Sequence, residues 1–99
     1  MLFRHGDIII EAVKEIPTQA KRQVSTILAH GELTGHNHRI EDPETAEIFV
    51  LGGECFLRVR ALTARVIHEE HKPITLPQGL YRFWYQREYT PQAIRRVYD

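Results

Sequence analysis

Cysteine is almost missing from this chain. Cys55 stands alone among 99 residues, so no internal disulfide and no Cys-x-x-Cys metal or redox pair can form. Its setting, Cys55-Phe56-Leu57, reads as a small buried hydrophobe rather than a nucleophile. This thiol usage fits a reducing cytoplasm, the location expected for the protein. An excess of either charge is missing too. Thirteen basic residues balance thirteen acidic ones, which removes the electrostatic case for bulk binding to nucleic acid or an anionic membrane. No apolar run approaches the roughly 20 residues of a membrane span. The start, Met-Leu-Phe-Arg-His-Gly-Asp, lacks the apolar stretch and small-residue cleavage site of a signal peptide. There is no glycine-rich phosphate loop, internal repeat or linker. Apolar residues at 42% and charged residues at 26% are ordinary for a folded protein, so a folded chain with one domain over residues 1–99 is expected.

Short β-branched and apolar segments, punctuated by glycine and proline, predict an all-β fold. Strands are expected at Asp7–Val13, Val24–Ala29, His36–Ile40, Ala46–Leu51, Cys55–Ala61, Ala64–His68, Lys72–Leu76 and Leu80–Gln86. Thr18–Gln23 reads as a helical turn or loop. Glu41-Asp42-Pro43-Glu44 is a turn, Gly52-Gly53 a hairpin and Pro77-Gln78-Gly79 a tight turn. Within Cys55–Ala61, Phe56, Arg58 and Arg60 share one face while Leu57, Val59 and Ala61 share the other. Thr90-Pro91 can open a short C-terminal helix, although Ile94–Tyr98 reads equally well as an edge strand. Even spacing of short strands suggests a small β-barrel or β-roll. So little core in one copy favours a homodimer.

What the chain does have is histidine. There are six, and four fall in two tight pairs. His36 and His38, spaced i, i+2, share one face of a strand, and such a pair can hold a divalent transition metal: zinc, iron, nickel, copper or manganese. Gly35 lets the backbone turn just before them. His68 and His71 are spaced i, i+3 and face opposite sides of a regular strand. They converge only if a bulge or turn intervenes, and Glu69-Glu70 can form one. Glu70 is then the candidate acid or base. The plain alternative is a solvated face or a metal-free polar pocket.

The stretch Gly31-Glu32-Leu33-Thr34-Gly35-His36-Asn37-His38 resembles the first cupin motif. Leu76-Pro77-Gln78-Gly79-Leu80-Tyr81-Arg82 resembles the second, built on Pro-x-Gly. The resemblance implies a small cupin-like β-barrel with a metal site inside it. Glu41 and Glu44 miss the place of the usual motif glutamate, Arg82 stands where a third histidine is expected, and Gln86 falls where a polar amide is often found. His36 and His38 transfer directly as ligands, and His68 or His71 is left to replace the third histidine. Gly-His-x-His with His-Glu-Glu-His also resembles small uncharacterised bacterial and phage proteins.

Tyr81, Arg82 and Gln86 are candidate contacts for an anionic or polar small molecule, against a plain structural role for each. His5 beside Asp7 reads as a hydrogen-bonded pair at a strand end. Phe83, Trp84 and Tyr85 read as core or dimer interface. Arg58, Arg60, Arg65, Arg82, Arg87, Arg95 and Arg96, with nearby aromatics, form a possible single-strand nucleic-acid surface. The neutral total favours a solvated, acid-balanced face. The reading is a metal-binding cupin-like protein with its reaction unassigned; the alternative is a non-enzymatic ligand-binding or regulatory module.

Overall fold

The computed structural model describes residues 1–30 and 36–86. Eight antiparallel strands carry them: β1 (Leu2–His5), β2 (Ile8–Ala12), β3 (Lys21–Gln23), β4 (Ile27–His30), β5 (Asn37–Ile40), β6 (Ala46–Leu51), β7 (Glu54–His68) and β8 (His71–Tyr85). A 3₁₀ turn at Pro43–Thr45 is capped by Asp42, whose carboxylate accepts from the Glu44 N–H at 3.1 Å. No α-helix occurs among the described residues, so none is long and apolar enough to cross a membrane. The expected C-terminal helix lies outside the described residues.

The all-β expectation holds, with three corrections. First, four expected strands merge into the two 15-residue strands β7 and β8. Pro77-Gln78-Gly79 is not a tight turn; it lies within β8, where Pro77 pairs with Thr63 and Gly79 with Val59. Second, Lys21–Gln23 is a strand because it pairs with Ile48–Val50 of β6, while Val24 is fully exposed and the next strand starts at Ile27. Third, the sheet does not close into a barrel among the described residues. Its order is β1-β2-β8-β7-β5-β4, with β6 and then β3 branching from β7, so β1, β3 and β4 remain as edges.

The β7–β8 ribbon organises the molecule. One edge of β7 is paired first by β6, along residues 54–59, and then by β5 at Val66 and Ile67. Its other edge belongs to β8 throughout. Fifteen residues drawn straight would span about 50 Å, yet the longest dimension of the protein is 39 Å, so the ribbon bends. The bend coincides with a break in register: the four steps from Val59 to Thr63 oppose the two from Gly79 to Pro77. Bulges of this kind bend a strand and raise its twist.

The break also changes which residues face inward. Before it, Leu57 and Val59 are buried; after it, Ala64 and Val66 are. Odd positions give way to even ones, and Leu62 at the switch is left exposed. Folding the ribbon on itself packs both halves into one core of Ile8, Ile10, Leu57, Val59, Val66, Leu76, Tyr81 and Phe83, among others. Cys55 is half-buried and packs against that core, as expected.

Candidate metal centre

His5, His38 and His68 lie in phase with the inward-facing residues of their own strands, and a register shift brings His71 onto the same face. His38 precedes buried Ile40 on β5, and His68 follows Ala64 and Val66 on β7. His71 precedes Ile74 and Leu76 on β8, and His5 follows half-buried Phe3 on β1. The site is therefore the polar end of the hydrophobic core.

Glu69-Glu70 is the two-residue turn that joins β7 to β8 and leaves His68 directly opposite His71. From Val66↔Ile74 to His68↔His71, two steps on β7 oppose three on β8. The extra β8 residue rotates His71 onto the face of His68. The expected intervening turn is thus present, and both members of the pair reach the cluster. Arg39↔Ile67 and Ile40↔Val66 fix the register of β5 on β7, and one further step sets His38 beside His68. His38, His68 and His71 are therefore neighbours across three adjacent strands. Directly opposed side chains of an antiparallel pair lie on one face, about 5 Å apart.

Ring centroids are 4.4 Å apart for His38 and His68, 4.7 Å for His68 and His71, and 5.5 Å for His38 and His71. One potential ligand atom from each lies within 4.8 Å of the others. Burial grades outward, from buried His38 through half-buried His68 to exposed His71. Gly6 closes the inner side, where a Cβ would meet His71 Nε2 at 2.7 Å and His38 Cε1 at 3.0 Å.

Residues 4–86 match the family described as a domain of unknown function, DUF8820. The chain belongs to that family. The matched span contains every residue of the histidine cluster. No curated protein and no solved structure matches the chain.

His36 does not join the three. β5 begins one residue later, at Asn37, and the His36 ring turns aside so that Nδ1 meets Glu70 Oε2 at 3.2 Å. Its ring remains 6.0 Å from that of His68. The firm partners of His38 are thus His68 and His71, because register aligns them while the i, i+2 spacing runs off the strand end. Gly35, like the rest of residues 31–35, lies outside the described residues.

The sequence pairs His5 with Asp7 at a strand end; in the fold its partner is His38, with the two Nδ1 atoms 2.8 Å apart. The Phe3-x-His5 alternation and the Gly6-Asp7 turn between apolar strands were the available signals. Glu69 is a second organiser that no local sequence signal marks. It accepts from the Asn37 N–H at 3.2 Å and from Arg39 at 2.9 Å, tying the start of β5 to the β7–β8 turn. Its own backbone N–H holds its carboxyl below the ordinary value against desolvation, with the Asn37 N–H and Arg39 adding to the lowering.

Burial is the largest cause that lowers the pKa of His38, to about 4, with His5, His68 and His71 adding to it and Asp7 opposing. Burial also lowers His5, opposed by the Lys72 backbone and reinforced by His71 and His68. The expected small-molecule contacts have other partners. The Tyr81 hydroxyl donates to the Pro77 carbonyl at 2.6 Å, Arg82 meets Glu11 at 2.9 Å and lies over Trp84, and Gln86 accepts from Arg4. Glu70 is exposed, and its N–H donates to His68 Nδ1 at 2.9 Å. The arginines of the basic surface are matched by acids: Arg58 and Arg60 with Glu47, and Arg65 with Glu41. Arg87, Arg95 and Arg96 lie outside the described residues.

Proposed function

We propose that this protein binds a divalent transition metal through His38, His68 and His71. The observation that carries the reading is the convergence of three imidazoles from three adjacent strands, each with a ligand atom within 4.8 Å of the others. A tetrahedral ion about 2.1 Å from each nitrogen would set those atoms roughly 3.4 Å apart. Closing the remaining distance takes side-chain rotation, with no change in strand register. The low pKa of His38 supports the same reading, because the ring is neutral at pH 7 and metal ligation uses neutral imidazole. Zinc, iron, nickel and manganese all accept such ligands.

Three protein ligands leave room for water or a small molecule on the ion, as in catalytic rather than structural sites. The ion would then polarise an oxygen donor or activate water. Glu70, paired with His36 at the exposed rim, would be the group that exchanges a proton there.

Titration of tag-free protein with zinc, nickel and manganese, followed by elemental analysis after gel filtration, tests the reading. One equivalent retained by the native chain and lost in His38→Ala is expected. Substoichiometric metal, with unchanged melting on addition of each ion, would refute it.

A further inference from the structure

The metal-binding reading leaves one buried polar group without a role. His5 is 2% exposed, and its Nδ1 lies 2.8 Å from that of His38. At that distance one proton sits between the two nitrogens: two N–H groups would collide, and two lone pairs would repel. The rings must therefore hold complementary tautomers. If His5 supplied the proton, His38 would keep its own proton on Nε2 and offer no lone pair to the cluster. If His38 supplies it, His38 Nε2 is open.

The proposed ion decides between these. Ligation uses a bare ring nitrogen of His38, and its Nδ1 is committed to His5 at 2.8 Å, so Nε2 is the nitrogen left for the cluster. That places the shared proton on His38 Nδ1 and the His5 proton on Nε2, which is buried without a hydrogen-bond partner.

We infer that His5 is a positioning residue that locks His38 into its Nδ1–H tautomer and leaves His38 Nε2 as a ligand atom. The order runs from His5 to His38 and then to the ion. Partners of metal-bound histidines commonly set tautomer and ring angle, and their loss weakens metal binding by about 10–100-fold. Here a second histidine takes the place of the usual carboxylate or carbonyl.

This inference rests on the proposed metal site, and its test separates the two. Long-range ¹H–¹⁵N spectra of the full, metal-free chain labelled at histidine report the tautomers directly. His38 is expected as Nδ1–H and His5 as Nε2–H; the reverse assignment would overturn the inference even if zinc binds. In His5→Phe, which keeps a ring but no nitrogen, His38 shifts toward Nε2–H and zinc affinity falls about 10–100-fold. His5→Asn, whose carbonyl oxygen can take the Nδ1 position, restores the Nδ1–H signature and much of the affinity. A native chain that binds zinc, beside a folded His5→Phe that binds it equally well with an unchanged His38 tautomer, refutes the role of His5. A native chain that shows the expected tautomers without binding zinc leaves the positioning contact standing and removes the metal site.

Discussion

Two glycines in nearly identical backbone conformations separate the energetics of a turn from those of the site. Gly6 has φ of 62° in the β1–β2 turn, and Gly52 has φ of 56° in the β6–β7 turn. Alanine at either carries the left-handed backbone penalty, roughly 1–2 kcal/mol. Their surroundings differ. Nothing lies within 4 Å of a Cβ at Gly52, whereas one at Gly6 meets His71 Nε2 at 2.7 Å, with His38 Cε1 and His71 Cε1 at 3.0 Å. Ordinary contact requires these rings to retreat by roughly 1 Å. Overpacking of this kind costs a further 1–3 kcal/mol or so, and it moves two of the three proposed ligands. Urea denaturation should therefore show Gly52→Ala destabilised by about 1–2 kcal/mol and Gly6→Ala by about 2–5 kcal/mol. Competition titration with a zinc chelator should show unchanged affinity for Gly52→Ala and a loss of about tenfold or more for Gly6→Ala, since a ligand shell loosened by 1 Å fails its geometry. Equal stability and equal zinc affinity in the two variants would refute the placement of Gly6 against the cluster.

Acid should unfold the metal-free protein through the same residues. His38 titrates near 4 in the fold against 6.5 for an unperturbed ring, so the unfolded chain binds more protons between those values and stability falls as pH drops through that window. The difference corresponds to on the order of 3 kcal/mol from His38, with His5 acting in the same direction; urea midpoints that stay flat from pH 7 to pH 4 would contradict it. Zinc binding by neutral His68 requires a proton on one ring nitrogen and the ion on the other, so the Glu70 N–H bond to Nδ1 is given up. The Glu70 amide resonance should move on zinc addition, and a static amide beside a shifting His68 ring would count against ligation by that residue. Replacing His36 by alanine should change zinc affinity less than about threefold, because the ring pairs with exposed Glu70 and exposed pairs are worth little; a loss as large as that of His38→Ala would return His36 to the ligand set. Leu57→Ala, at a fully buried position beside the bend, should cost about 2–5 kcal/mol by urea denaturation, and a smaller loss would mean that the bent ribbon repacks around the gap.

Local signals in the sequence determined the all-β class, the Gly52-Gly53 hairpin, the Asp42-Pro43 turn and the inward alternation of Leu57 and Val59. These depend on side-chain period and turn chemistry within a few residues. The presence of a histidine centre was legible for the same reason, as was the condition that a turn at Glu69-Glu70 must intervene for His68 and His71 to converge. Membership of the centre was not. His36 looked equivalent to His38 by spacing, but β5 starts after it, and a side chain beyond the strand end is not held to the strand's alternation. His5 lies more than thirty residues from its partner in sequence, and nothing local to Arg4-His5-Gly6 specifies that contact. Tertiary structure decided it by bending the β7–β8 ribbon, switching the inward parity after Ala61 and bringing the β1 edge back onto β5. Strand register is a non-local quantity, and a slip of one residue reverses every side chain. Only the assembled sheet could determine which nitrogens meet.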